Sequence, residues 1–190
     1  STDQSLCFNS AKEAESGAEV TEISQFFSPE QVVRLTGSNA ELGRLEEQAK
    51  GNATLHFASP LTLVDGGLLK AQLPLALDET TKATANTLFK LNLPSNLSVW
   101  SGTSVSAKDT RGSGVKVFTR GLAYAGVRNV LMSLWLQPEA ERVAELVEFY
   151  RGRQQGLNQA QSLRKAQLIS LSKDPALKSW AAFQLIGPGR

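Results

Sequence analysis

The chain has 190 residues, 41% of them hydrophobic and 20% charged, a balance that excludes disorder and collagen-like repeats. Its net charge of +2 is too weak for the footprint of a nucleic-acid binder, and no apolar run approaches the ~20 residues that span a bilayer. A single cysteine and a single histidine exclude an internal disulfide framework and a multi-histidine metal site, and no cofactor is expected. At this length one domain, residues 1–190, buries roughly 70% of its unfolded surface and can build a core without staples. The opening STDQSLCFNS has neither the basic nor the apolar region of a signal peptide, so none is expected.

Short apolar runs alternate with segments of helical period, which predicts an α/β fold with a mostly parallel sheet. Ser5–Phe8 is the first run, and a helix follows at about Glu15–Phe27 with Val20, Ile23 and Phe27 on one stripe. Gln31–Leu35 reads as a strand. Ser38 to Glu41 is a capping box that opens a helix carrying Leu42, Leu45 and Ala49, closed by Gly51. Thr54–Ala58 is the third strand, and Leu61–Val64 enters a hairpin at Asp65-Gly66 that runs to about Leu69. Thr80–Lys90 reads as a helix and Leu97–Ser101 as a fourth core strand. Gly102–Gly114 is polar and glycine-punctuated, the longest loop-like segment, and loops of that length are commonly functional. Val115, Phe118, Leu122 and Ala125 form a helical stripe ending at Gly126. Val130–Trp135 is the run of a central strand covered on both faces. Two more helices follow, marked by Val143, Leu146, Val147 and Tyr150 and then by Leu163, Ala166 and Ile169. Ala182–Ile186 closes as a sixth strand and a candidate sheet edge.

The ordered set LHFAS (Leu55–Ser59), LTLVDGGLL (Leu61–Leu69), LSVWSG (Leu97–Gly102), GLAYAGVRNVLMSLW (Gly121–Trp135), EFYRG (Glu148–Gly152), LRKAQL (Leu163–Leu168) and SWAAFQLIG (Ser179–Gly187) resembles the CHAT domain. That family is a caspase-like, separase-related group of cysteine proteases, often joined to tetratricopeptide repeats. The resemblance runs from about Leu6 to Gly187. It implies a caspase-like three-layer α/β/α sandwich with about six strands, and a catalytic histidine and cysteine at the ends of adjacent strands. In open parallel sheets, sites do form beyond the strands' carboxyl ends.

The sequence departs from the family at both dyad positions. His56 matches the first, structural histidine of the family's HFATHG pattern, the catalytic histidine position falls at Pro60, and the loop that normally follows is shortened. Thr103 stands at the nucleophile position. A threonine hydroxyl is essentially un-ionised at neutral pH and needs a strong adjacent base, and proline offers none. Where nucleophile and base act as a unit, losing one costs roughly 10⁴–10⁶ in rate. The sequence therefore reads as a pseudoprotease acting as a protein-interaction, scaffold or regulatory module.

In this reading His56, Ser59, Ser101, Gly102, Thr103, Ser104, Lys108 and Arg111 line a vestigial groove, which loss of the histidine loop leaves more open. Lys108, Arg111, Lys116, Arg120 and Arg128 make the region basic: a solvated face, or a dock for an acidic peptide. The implied partner is a protein or peptide, including one carrying tetratricopeptide repeats, with a homodimer through the last strand as a further expectation; nucleic acid and membrane are not expected. The rival reading is a hydrolase using Ser101, Thr103 or Ser104 with His56 or a partner-supplied base. Cys7 and His56 each have a plainer reading as core residues. The segment Gly112–Gly114 ahead of a helix is a weak phosphate cradle, because no lysine follows at the needed spacing. Trp100, Trp135 and Trp180 are expected in the core. The single thiol suits a cytoplasmic setting, and the chain reads as a piece of something longer, since the repeats that often accompany the family are missing from it.

Overall fold

The computed structural model describes residues 6–10, 17–36, 42–49, 54–63, 72–76, 82–106 and 113–189. Its main sheet contains β1 (Leu6–Ser10), β2 (Val32–Thr36), β3 (Thr54–Phe57), β7 (Leu97–Trp100), β9 (Val130–Ser133) and β10 (Phe183–Ile186). Their spatial order is β10-β9-β7-β3-β1-β2, and all pairings are parallel except β9 with β10. Every residue of β3, β7 and β9 is buried, as continuous apolar runs predict for strands covered on both faces. Two smaller pairs complete the strands: β4 (Leu61–Leu63) lies parallel to β8 (Thr103–Val105), and β5 (Gln72–Ala76) antiparallel to β6 (Lys82–Thr84).

Strand alternation sorts the core into two layers. Leu55, Phe57, Trp100, Val130 and Met132 face Leu45 and Ala49 of α2 (Leu42–Ala49) and Phe118 and Leu122 of α4 (Ser113–Tyr124). Phe57 stacks on Trp100 at 3.9 Å between ring centroids, and Phe118 meets the Trp100 ring edge-on at 4.9 Å. On the other face, Leu97, Val99 and Leu131 pack against Ile23 of α1 (Gly17–Ser24), Leu146 and Phe149 of α5 (Glu139–Gln154), and Leu163 and Ala166 of α6 (Gln159–Lys173). The result is a three-layer α/β/α sandwich.

Local chemistry explains where the helices stop. After α4 the N–H of Gly126 bonds to the Ala123 carbonyl at 3.1 Å and that of Val127 to Leu122 at 3.0 Å. This is a Schellman closure, and it places Gly126 at φ 102°, which glycine adopts without strain. Helix α6 opens on a capping box: Asn158 accepts from the Gln161 N–H at 2.9 Å while Gln161 accepts from the Asn158 N–H at 3.1 Å.

Several expectations are corrected. Helix α1 ends at Ser24, whose hydroxyl folds back onto the Val20 carbonyl at 2.6 Å, so Phe26 and Phe27 lie beyond it. Of the described part of Thr80–Lys90, residues 82–84, with β-branched Thr84, form β6 and Ala85–Leu88 form α3. Residues 103–105 are strand rather than loop, and Leu61–Leu63 pairs with them in parallel. The remainder of the expected hairpin, like the Ser38–Glu41 capping box and Gly51, falls outside the described residues. Trp100 is a core residue, but Trp135 and Trp180 are only half-buried, because β9 ends at Ser133 and the chain has left the sheet before Trp135. The Trp135 indole instead donates to the Lys178 carbonyl at 3.0 Å, on the short helix α7 (Leu177–Trp180).

Candidate functional site

The place to look for chemistry is beyond the carboxyl ends of β3 and β7, the position of a site in an open parallel sheet. Here those ends stay joined. The Ser101 N–H bonds to the Phe57 carbonyl at 3.1 Å, and the Leu61 N–H to the Gly102 carbonyl at 3.1 Å. Pairing then continues through Leu61↔Thr103, Thr62↔Ser104 and Leu63↔Val105. On its other side β8 is tied to the chain beyond β9, with the Val105 N–H on the Leu134 carbonyl at 2.8 Å. Gly102 is required by this closeness, since a Cβ there would lie 2.5 Å from the Ser59 carbonyl oxygen. The Ser133 hydroxyl donates towards the carbonyls of Ser101, at 2.8 Å, and Thr103, drawing a third strand end into the same junction.

The two positions that the resemblance aligns with the family's dyad differ in exposure. Pro60 is exposed, whereas Thr103 is 0% exposed and its hydroxyl has no hydrogen-bond partner. His56, Ser59, Ser101 and Gly102 are also buried, and Ser104 is half-buried. At this point the strands pair across the gap, so Leu61–Leu63 and Thr103–Val105 leave no open groove between them, unlike the expectation from sequence. Lys108 and Arg111 lie outside the described residues. Lys116, Arg120 and Arg128 are exposed, the first two on α4.

His56 lies in a buried polar cluster of its own. Alternation along β3 turns it away from Leu55 and Phe57, towards α1 and α5. Its Nε2 is 2.6 Å from Glu19 Oε1 and its Nδ1 is 2.9 Å from the Tyr150 hydroxyl. Arg142 donates from Nε to the other Glu19 oxygen at 3.0 Å. Nε2 thus donates to the carboxylate, and Nδ1 shares a hydrogen bond with the phenol. The Tyr150 ring stacks against Phe26 and meets Phe27 and Phe149 edge-on. Burial pushes the Glu19 carboxyl up, but the hydrogen bond and charge of His56, the charge of Arg142 and the Ser101 hydroxyl together hold it below its ordinary range. Both ring nitrogens of His56 are thus engaged, and the cluster joins α1, β3 and α5. The plainer reading of His56, a satisfied core histidine, fits this geometry.

Glu19 and Arg142 were missed from sequence, though each left a signal. Glu19 precedes Ile23 by four residues, and Arg142 precedes Leu146 by four, so each puts a charge on its helix's apolar stripe. A third such residue is Glu145. It is 1% exposed and accepts from Gln137 Nε2 at 3.2 Å, while that amide also donates to the Ser179 carbonyl at 3.1 Å. Glu145 Oε1 and Gln137 Oε1 are both buried without partners. Burial pushes the Glu145 carboxyl up to about 7, against a smaller lowering by the Gln137 hydrogen bond.

Among the described residues no group of three or more His, Cys, Asp or Glu side chains is placed to hold a metal ion, and no helix is long and apolar enough to cross a membrane. In structure the chain is similar to two crystal structures of the Saccharomyces cerevisiae separase–securin complex. One, at 3.0 Å resolution, gives a TM-score of 0.59 at 12% identity, over 96% of this chain and 11% of that one. The other, at 2.6 Å, gives 0.59 at 13% identity, over 97% and 12%. The Arg-specific cysteine proteinase gingipain R gives 0.55 at 10% identity, over 98% of this chain and 46% of that one. The present chain thus spans about a tenth of the first and under half of the gingipain chain. These likenesses establish a caspase-like fold. No curated protein matches the chain in sequence. The family profile described as CHAT domain matches residues 2–188, and the chain belongs to that family.

Proposed function

We propose that this CHAT domain works by binding a protein or peptide and does not cleave one. The observation that carries the reading is the closed junction of β3 and β7. Thr103 is fully buried inside paired strands, Pro60 has no titratable group, and both ring nitrogens of the chain's single histidine are engaged by Glu19 and Tyr150. A general base needs hydrogen-bond reach of ~3 Å to its nucleophile and an in-plane nitrogen to use. His56 has both ring nitrogens engaged by Glu19 and Tyr150, so the hydrolase reading lacks its histidine base. The fold is that of a peptidase family, and with the reactive groups replaced, what it retains is shape: two helical layers around a rigid sheet. A partner carrying tetratricopeptide repeats and a cytoplasmic setting belong to this reading as well.

The test is direct. The purified chain is incubated with a diverse peptide library and with acylating probes, and products and adducts are read by mass spectrometry. No cleavage and no adduct are expected, with Thr103→Ala indistinguishable from the parent. Cleavage that disappears in Thr103→Ala, or an acyl group on Thr103, Ser101 or Ser104, would overturn the proposal.

A further inference from the structure

The outer surfaces of the two helical layers carry features that complement each other. Between α1 and α5 runs an open groove of about 450 Å³. Its floor is made of small side chains, Ala18 from α1 and Ala140, Val143, Ala144 and Val147 from α5. The α5 residues recur at i, i+3, i+4 and i+7, a second apolar stripe beside the one that packs on the sheet. Glu22, Glu139 and Glu148 stand on the rim against one cation, Lys173. Glu148 pairs with Arg151, so the exposed carboxylates are Glu22 and Glu139.

The opposite layer shows the inverse. On α4, Val117 and Tyr124 are exposed, by 39% and 85%, and with Arg120 they form a ridge at i, i+3 and i+7. Arg120 is exposed, and Lys116, exposed as well, flanks the ridge. Ridge and groove lie on opposite faces of the sheet, because α4 packs on the Trp100 side and α5 on the Val99 side. They cannot meet within one molecule.

We infer that the α4 ridge of one copy seats in the α1–α5 groove of the next, so that copies of this chain stack head to tail. The occupant is a second copy because an apolar ridge with cations and an apolar groove with carboxylates are both present on this one chain, on the two outer faces that stacking brings together. Tyr124 and Val117 fill the space over the alanine and valine floor, and Lys116 and Arg120 approach Glu22 and Glu139. Such a contact is heterologous, using different patches on the two partners, and it propagates instead of closing as a two-fold dimer does. One helix in one groove falls below the ~1,200 Å² of a standard stable interface, so assembly is weak and concentration-dependent. The inference does not rest on the absence of proteolysis, since neither surface includes the strand ends.

Sedimentation velocity of the purified chain, from a few to several hundred micromolar, tests it. At low salt the weight-average mass should climb past about twice that of one chain, and it should fall back in roughly 0.5 M salt, where screening is short-ranged. Tyr124→Ser, which blunts the ridge, and Ala144→Glu, which fills the groove and adds a like charge, should each remain monomeric; both positions are exposed, and circular dichroism checks that the fold is kept. Each variant retains the half the other lacks, so an equimolar mixture should form a capped heterodimer and nothing larger. Monomer at every concentration, association that survives Ala144→Glu, or a mixture that fails to give the heterodimer would each overturn the inference. So would a dimer abolished only by Gln184→Pro on the edge strand β10.

Discussion

Replacing Glu145 by glutamine should make the protein more stable at pH 8 and leave it nearly unchanged at pH 5. Glu145 is buried and has its carboxyl pushed up to about 7 from an ordinary 4.5. Between those values the folded chain holds a proton that the unfolded chain has released. Folding stability therefore falls as pH rises through that window, and the loss is complete above about pH 7. At 1.36 kcal/mol per pH unit the cost reaches about 3 kcal/mol. Glutamine stays neutral throughout. Its carbonyl can keep the hydrogen bond from Gln137 Nε2. Urea unfolding of parent and variant at pH 5, 6, 7 and 8 isolates this group, because all other titrations are common to both proteins. The difference in unfolding free energy should open from within about 1 kcal/mol at pH 5 to about 3 kcal/mol at pH 8. Parallel pH dependences would refute the reasoning, since they would mean that Glu145 ionises as easily in the fold as out of it.

Glu19 has the opposite sign: its carboxyl is held below the ordinary range, so its stabilisation is present above about pH 4.5 and is lost as pH falls through the folded value. Glu19→Ala strands buried Arg142 and should cost about 3–5 kcal/mol at pH 7 by urea titration, with an acid limb shallower than the parent's. Thr103→Val keeps the shape and removes a buried, unpartnered hydroxyl, so it should raise stability by about 1 kcal/mol in thermal melts; a clear loss would place a hydrogen-bond partner at that oxygen. Placing at both positions the residues that the resemblance implies, Pro60→His with Thr103→Cys, should yield no peptide cleavage and slow thiol labelling, because position 103 is fully enclosed. Rapid labelling of the introduced thiol in the folded protein would show that the strand junction opens.

The sequence made the sheet legible because its central strands are buried on both faces. LHF, LSVW and VLMS have no polar face to hide, and their runs stand out between helices whose stripes keep a 3.6-residue period. Thr103–Val105 was not legible. It is polar, it follows a glycine, and its neighbours in the sheet come from Leu61–Leu63 and from beyond β9, which no local pattern announces. The histidine cluster sits between these cases. A charge on an apolar stripe marks Glu19 and Arg142 as unusual, but their contacts join residues 37 and 123 positions apart. Trp135 misled for a different reason, since an indole beside a core strand need not lie within it.

The polar residues at the strand ends look reactive in sequence because hydroxyls and a histidine occur together at the place where this fold carries its chemistry. In space they have become internal ties. Ser133 holds the carbonyls of Ser101 and Thr103, Gly102 lets one strand end press against the Ser59 carbonyl, and His56 fastens α1 to α5 through Glu19 and Tyr150. A buried hydroxyl that bonds backbone adds to cohesion but cannot meet a substrate. Among the described residues, exposed apolar area beside charge of opposite sign stands on the outer side of α4 and in the groove between α1 and α5. In the proposed reading, the closed strand junction and the ridge-and-groove complementarity have one consequence, that the domain binds through its helical layers.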